Sequence, residues 1–304
     1  SILDSDNVLQ TRKTIGKVAD LEAVCKGNFV SGNTGISHTR WATHGAPSST
    51  NSHPHVSSGI SIVHNGIIEN HDVLREEMIA AGYEIQSDTD SEVIAHLIHQ
   101  QLETCSDLRE AVNKTIARLK GAYALGVMSD EYPGLIIGAR SGSPLVVGVG
   151  MDEHFIASDQ MALRQVTDRF VYLEEGDVVE LSSEAYTVFG ANGKAVKREL
   201  HQLSETDQIA DKGQYRHFMQ KEMFEQATVL ADTFAGRIGA DHILEAVFGH
   251  QAEGLFAQTK NIHIIACGTS FHSGLVAKYW LEDMAGVPCQ VEVASEYRYR
   301  KVAV

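Results

Sequence analysis

The chain is short of positive charge, of paired cysteines and of long apolar runs, and each shortage excludes something. Lys and Arg number 25 against 40 Asp and Glu, giving a net charge of −15 and a pI near 5.4. Phosphate backbones bind basic faces, so nucleic acid is not an expected partner, although a local pocket for one small phosphate is compatible with this balance. The four cysteines, Cys25, Cys105, Cys267 and Cys289, form no CxxC pair and no dense framework. That fits unpaired thiols in a reducing, cytoplasmic setting. Arg140 interrupts the apolar stretch over 135–150, so no run approaches a bilayer span and no membrane partner is expected. Internal repeats and low-complexity tracts are also missing. What is present is ordinary for a globular protein: 43% hydrophobic and 21% charged residues over 304 positions, a length that suggests two domains.

Residues 1–200 alternate between antiparallel-looking strands and helices. A short strand over 59–63 runs into a turn at His64, Asn65 and Gly66. Asn70 then caps a helix with Val73, Leu74 and Met78 on one face, ended by Gly82. Asp90 precedes a second helix striped by Val93, Ile94, Leu97, Ile98 and Leu102. Asp107 and Glu110 form a capping-box pattern for a third, with Leu108, Val112, Ile116 and Leu119 inward. Strands follow near 122–128, 135–139, 145–149, 155–157, 171–173 and 177–181, and Asn192-Gly193 marks a hairpin. Strand runs with segregated helices read as α+β layers. Residues 201–214 are polar and lack periodicity, which predicts a linker. Beyond them, a helix over 215–234, a strand over 261–266, a small-residue turn over 267–270, a helix over 271–284 and a strand over 287–293 open a parallel α/β sheet.

Residues 38–45 read His-Thr-Arg-Trp-Ala-Thr-His-Gly and residues 64–70 read His-Asn-Gly-Ile-Ile-Glu-Asn. An arginine, an amide and a glycine backbone are the groups that hold an α-carboxylate and stabilise an oxyanion. No cysteine, serine or threonine in this stretch sits beside an obvious base, so a nucleophile is lacking there. Each group also has a plain structural role: Arg40 as an ion-pair partner, Asn65-Gly66 as a turn, Asp90 as a helix cap. His53, His55, His64 and His71 match no strong metal-ligand spacing, and no metal is expected. Cys267 reads as a small buried residue at a strand end, with no neighbouring base to activate it. The 267–270 turn, with Gly268, Thr269 and Ser270 ahead of a helix, suits one phosphate or serves as an ordinary βα loop.

The order of these segments is more telling than any one of them. The 38–45 and 64–70 strings, with Asn-Ser-His-Pro-His at 51–55 and Ser-Asp-Thr-Asp-Ser-Glu at 87–92, resemble those of class II, N-terminal-nucleophile glutaminases. Tyr-Arg-His-Phe-Met-Gln-Lys-Glu at 215–222, the 266–270 turn, and Ala-Ser-Glu-Tyr-Arg-Tyr-Arg at 294–300 narrow the resemblance to the glutamine–fructose-6-phosphate aminotransferase (isomerizing) family. It implies a four-layer αββα glutaminase domain over 1–200, a linker over 201–214 and the first part of a sugar-isomerase (SIS) domain over 215–304. It also implies conversion of fructose 6-phosphate and L-glutamine to glucosamine 6-phosphate, without a metal or organic cofactor, in a homodimer joined through the SIS region. By the same resemblance, Arg40 binds the glutamine α-carboxylate and Asp90 its α-amino group. Trp41, Thr43 and His44 line a loop closing over glutamine, with Trp41 also gating ammonia. Asn65 and Gly66 form the oxyanion hole, and Gly268, Thr269 and Ser270 belong to the sugar-phosphate pocket.

Against the family's pattern, the chain opens on Ser1 within what reads as a strand, without the N-terminal cysteine and the Tyr-Arg-Gly-Tyr-Asp-like segment after it. The Ser-Gln-Ser-Gly-Glu-Thr-like loop and the second isomerase domain do not appear before Val304, and Ala227 stands where proline is usual. The expectation is an internal fragment, inactive by itself, of an active parent enzyme. Two other readings are another class II amidotransferase and a non-catalytic sensor of glutamine or sugar phosphate.

Overall fold

A computed structural model of the chain describes residues 1–40, 45–203, 214–234 and 254–301. The chain divides into two units, Ser1–Ala210 and Asp211–Val304. In the first, β1 (Ile2–Leu3), β2 (Leu9–Gln10) and β3 (Thr34–Gly35) form an antiparallel sheet in the order β2-β1-β3, and helix α1 (Val18–Gly27) lies on the way to β3. A tight hairpin joins β4 (His55–Ser57) to β5 (Ile60–Ile68). Its turn residues Ser58 and Gly59 have φ of 42° and 83°, the left-handed pair whose twist matches the strands they join. Helices α2 (His71–Ala80), α3 (Glu92–Leu102) and α4 (Leu108–Ile116) come next. Strands fill the rest: β6 (Gly121–Ser129), β7 (Ile136–Ser141), β8 (Val146–Val149), β9 (His154–Ala157), β10 (Arg169–Tyr172), β11 (Val178–Leu181), β12 (Tyr186–Phe189), β13 (Ala195–Val196) and β14 (Leu200–Gln202). Seven make one sheet in the order β13-β12-β11-β7-β6-β5-β4, and four make another in the order β14-β10-β8-β9.

Alternation along the strands sets the layers. On β6, Leu125 and Val127 join a core with Ile62 of β5, Val93 and Leu97 of α3, and Val112 of α4. Ala124 points the other way, onto Val147 and Val171 of the four-stranded sheet, and Met128 packs on Leu3 and Ile36. Leu3 therefore faces inward, while its neighbour Ile2 lines a cavity shared with Leu21 and Cys25 of α1. The order is helices, sheet, sheet, helix: the expected αββα stack. Each fully buried Ile, Leu or Val contributes about 1.5–3 kcal/mol. Since α1 buries no residue completely, the outer helix adds least.

Several local expectations need correction. The expected turn at 64–66 is strand: β5 runs on to Ile68, and every residue from Ile60 to Ile68 has a partner on β6. The period-two burial of Ile60, Ile62, His64 and Ile68 outweighs the turn preference of Asn-Gly. Val73 is exposed, and only Leu74 and Met78 of α2 face the core. The Asn70 side chain does not cap α2; it bonds the Arg118 carbonyl and the Lys120 N–H, joining the helix start to the α4–β6 connection. His201 and Gln202, expected in the linker, belong to β14 and pair with Phe170 and Arg169. Cys267 is exposed, at the N-cap position of the helix that follows β15.

In the second unit, α5 (Phe218–Phe234) and α6 (Leu255–Gln258) precede β15 (Ile262–Ala266), α7 (Gly268–Trp280), β16 (Cys289–Val293) and α8 (Ala294–Arg298). β15 and β16 pair in parallel over five residues, joined through α7 and a π-turn at Leu281–Ala285. Gly274 sits where a Cβ would lie 2.9 Å from Ile264 and 3.1 Å from Val291, so glycine there lets α7 lie close on the sheet. The expected 267–270 turn is shorter than read. α7 begins at Gly268, and Thr269 and Ser270 lie exposed in its first turn. No described helix is long and apolar enough to cross a membrane.

Candidate active site

The C-terminal half of β5 carries His64, Asn65 and Gly66, and alternation sends the two side chains to opposite faces of the sheet. His64 is buried on the helix side, where Nδ1 lies 2.8 Å from Ser91 Oγ. Asn65 stands exposed on the other face, its Oδ1 2.8 Å from His38 Nε2. Among the described residues nothing accepts from the Asn65 Nδ2, which leaves that NH₂ for an external acceptor. Gly66 has φ of +135°, and a Cβ there would lie 2.0 Å from the Ala122 carbonyl oxygen. Only glycine fits this crossing of two backbones.

Asp90 is buried, and it does not cap α3. Its Oδ2 accepts from the Ile68 N–H at 2.8 Å and its Oδ1 from Ser91 Oγ at 3.3 Å. The segment carrying it is tightly held. Arg75 donates to the Ser87 and Thr89 carbonyls, and buried Glu92 accepts from the N–H groups of Gln86 and Ser87 and from Ser87 Oγ. Burial alone would raise the Glu92 pKa, but the His96 ring 3.6 Å away and hydrogen bonds from Ser87 and Gln86 hold it down at about 2. Arg40 donates to the Gly45 carbonyl at 3.0 Å and the Ala46 carbonyl at 3.4 Å. Asn51 ties that loop to the Asp90 segment: its Nδ2 donates to Ala46 O and Asp88 Oδ2, and its Oδ1 accepts from the Asp88 N–H.

Between these groups lies a cluster of histidines. The His53 ring is 4.2 Å from His38 and 4.8 Å from His55, centroid to centroid, and 6.5 Å from His64. Burial lowers the pKa of all four. For His55, with further push from Lys13 and Arg40 against the pull of Glu92 and Asp90, the value falls to about 4. The rings are therefore neutral at neutral pH. Arg40 lowers His38, His53 and His55, while Asp90 raises His55 and His64, so both charges act on one neighbourhood. Among the described residues no three His, Cys, Asp or Glu side chains are grouped to hold a metal ion. His38 and His53 also line the cavity of about 310 Å³ between α1 and β1.

Arg40, Asn65, Gly66 and Asp90 thus gather around the histidines, though their residues are up to fifty positions apart. Trp41, Thr43 and His44 lie outside the described residues. Gly268, Thr269 and Ser270 belong to the second unit. Sequence reading passed over His38, Asn51, Asp88 and Glu92, although all four lie within the motif strings. His38 and Asn65 are 27 positions apart and Asn51 and Asp88 are 37 apart, so spacing gave no signal for them, whereas Glu92 bonds Gln86 and Ser87 close by in the chain.

A family model described as a glutamine amidotransferase domain matches residues 38–165, and one described as a SIS domain matches 255–304. Glutamine–fructose-6-phosphate aminotransferase (isomerizing) of Pseudomonas putida is 53% identical over 305 residues, covering 100% of this chain and 50% of that protein. The protein of the same name from Vibrio vulnificus is 50% identical over 301 residues, covering 99% of this chain and 49% of its own. A solved structure described as the allosteric regulatory enzyme of purine biosynthesis is 25% identical, covers 62% of this chain and 39% of that one, and has a TM-score of 0.46. The chain spans about half the length of the curated relatives it matches. The two family models fall one in each unit, so a glutamine amidotransferase domain is followed by SIS-domain sequence. With half of its residues identical from end to end, the chain belongs to the glutamine–fructose-6-phosphate aminotransferase (isomerizing) family.

Proposed function

We propose that the full-length protein makes glucosamine 6-phosphate from fructose 6-phosphate and L-glutamine, and that the first unit releases the ammonia. The observation that carries this reading is the pair Asn65 and Gly66: an amide with its NH₂ unclaimed among the described residues, beside a glycine backbone at φ +135°. In the reaction, the family's N-terminal cysteine thiolate attacks the glutamine amide carbon. A C–S bond forms and the carbonyl electrons move onto oxygen, where the Asn65 NH₂ and the Gly66 N–H donate to the oxyanion. Collapse breaks the C–N bond and the leaving nitrogen takes a proton. Water then hydrolyses the γ-glutamyl thioester, releasing glutamate and restoring the thiolate.

Arg40 holds the α-carboxylate and Asp90 the α-ammonium, with Trp41, Thr43 and His44 closing over the substrate. The Glu92 and Arg75 bonds to segment 86–90 support this by keeping Asp90 in place before substrate arrives. In the second unit, Gly268, Thr269 and Ser270 at the start of α7 hold the sugar phosphate, a role suited to unpaired N–H groups. The reading extends to a homodimer joined through the SIS region in the cytoplasm, without nucleic acid or membrane. Four free cysteines and the net charge of −15 are in keeping with that.

The full-length gene product, given glutamine and fructose 6-phosphate, is expected to form glutamate and amino sugar in equal amounts. Glutamate without amino sugar would refute the coupled reaction. Arg40→Lys is expected to raise KM for glutamine about tenfold or more with a smaller change in kcat, because one ammonium cannot copy a planar two-point clamp. An unchanged KM would return Arg40 to a structural role, one part of which is bracing the Gly45 and Ala46 carbonyls.

A further inference from the structure

We infer that His38 is a positioning residue for glutamine hydrolysis: by donating from Nε2 to Asn65 Oδ1, it decides which end of the amide faces the oxyanion. This rests on the reading of Asn65 as an oxyanion donor. An asparagine amide is nearly symmetric in shape but opposite in charge at its two ends. Turned by half a rotation, Asn65 would present Oδ1 to the developing negative charge and repel it. On an exposed strand face little packing prevents that rotation. Among the described residues, His38 is the side chain that bonds the Asn65 amide.

The geometry around His38 suits this task. Its ring is held against His53 with centroids 4.2 Å apart, so Nε2 does not wander. Its other nitrogen, Nδ1, is buried with no partner among the described residues, so the ring's bond to a side chain is made from Nε2 to Asn65, beside a backbone contact with His64. Burial lowers the His38 pKa against the opposing hydrogen bonds to Asn65 and the His64 backbone, with the Arg40 charge adding to the fall, and a neutral ring with its proton on Nε2 is a donor there. A carbonyl that accepts a hydrogen bond also makes its own NH₂ a stronger donor, so the contact polarises the amide toward the oxyanion as well as orienting it. His38 itself touches no reacting atom. It acts through Asn65.

The test is a double-mutant cycle on the full-length gene product, reading glutaminase kcat and KM with fructose 6-phosphate present. His38→Leu is expected to lower kcat about tenfold while KM for glutamine stays within about twofold. His38→Gln, whose NH₂ reaches the place of Nε2, restores most of the rate. His38→Asn, whose shorter side chain matches Nδ1, does not. In an Asn65→Ala background, His38→Leu adds less than about twofold, because the group it positions is gone. An undiminished tenfold loss in that background would overturn the inference, as would a wild-type kcat in His38→Leu. If His38→Leu does not fold, the Gln and Asn variants decide: equal rates would overturn it. A wild-type kcat in Asn65→Ala alone marks a different failure, that of the oxyanion reading itself.

Discussion

On the oxyanion role proposed for it, Asn65→Ala is expected to lower the glutaminase kcat of the full-length gene product about a hundredfold or more, with KM for glutamine nearly unchanged. The asymmetry follows from when the bond matters. Ground-state glutamine carries a neutral carbonyl, and the negative charge that the Asn65 NH₂ meets exists only as the transition state forms. Loss of one such donor costs about 2.7–4 kcal/mol of the barrier. Asn65→Asp is at least as damaging, since it keeps the size but turns a carboxylate toward the oxyanion. Asn65 is exposed and its side chain fills no core, so neither change should lower the thermal midpoint much. Steady-state kinetics beside a thermal melt separates the outcomes. A near-wild-type kcat in either variant removes Asn65 from the oxyanion hole; a large drop in Tm with kcat intact makes it architectural.

The second large effect is loss of stability in mild acid. His38, His53, His55 and His64 are held neutral by burial, with pKa values below the ordinary value of 6.5. The unfolded chain takes up protons at these sites near the ordinary pKa, whereas the folded chain does so only at lower pH. Stability is therefore full above the unfolded value and falls as pH drops below it. His55 alone, with a folded pKa of about 4, costs about 2 kcal/mol by pH 5 and about 3 kcal/mol once pH passes below the folded value. Glu92 acts in a lower window. Its folded pKa of about 2 lies below the ordinary 4.5, so its contribution is present above 4.5 and lost on the way down to 2. Urea melts of the full-length protein at about pH 7.5 and about pH 5 should show the fall, and His55→Gln should lessen it. A stability that stays flat across that interval would mean that the four rings are hydrated or already paired when charged.

How much of this was legible depended on the reach of each signal. The α3 stripe of Val93, Ile94, Leu97 and Ile98 is buried as its 3.6-residue spacing implied. Asp107 caps α4 through the Glu110 N–H, as the spacing of the two acids implied. The Asn192-Gly193 turn joins β12 to β13, with Gly193 at φ 72°. Such features are decided within one turn of helix or one hairpin. Where a local preference competed with a long-range one, the long-range one won. Asn65-Gly66 became strand because nine consecutive pairings with β6 outweigh one turn. Val73 is exposed because the core reaches only one edge of α2.

Motif order along the chain was enough to name the family, and the roles proposed for Arg40, Asn65, Gly66 and Asp90 rest on that resemblance. It said nothing about which atoms meet. That His38 bonds Asn65, that Asn51 ties the Ala46 carbonyl to Asp88, and that Glu92 holds the backbone ahead of Asp90 all follow from packing. The first two join segments that approach only once strand register and helix docking are set, while the Glu92 bonds close a local loop. A one-residue slip of β5 would send Asn65 to the buried face and His64 to the open one. Residue types are local facts, whereas a donor pointed at one acceptor is a property of the assembled layers.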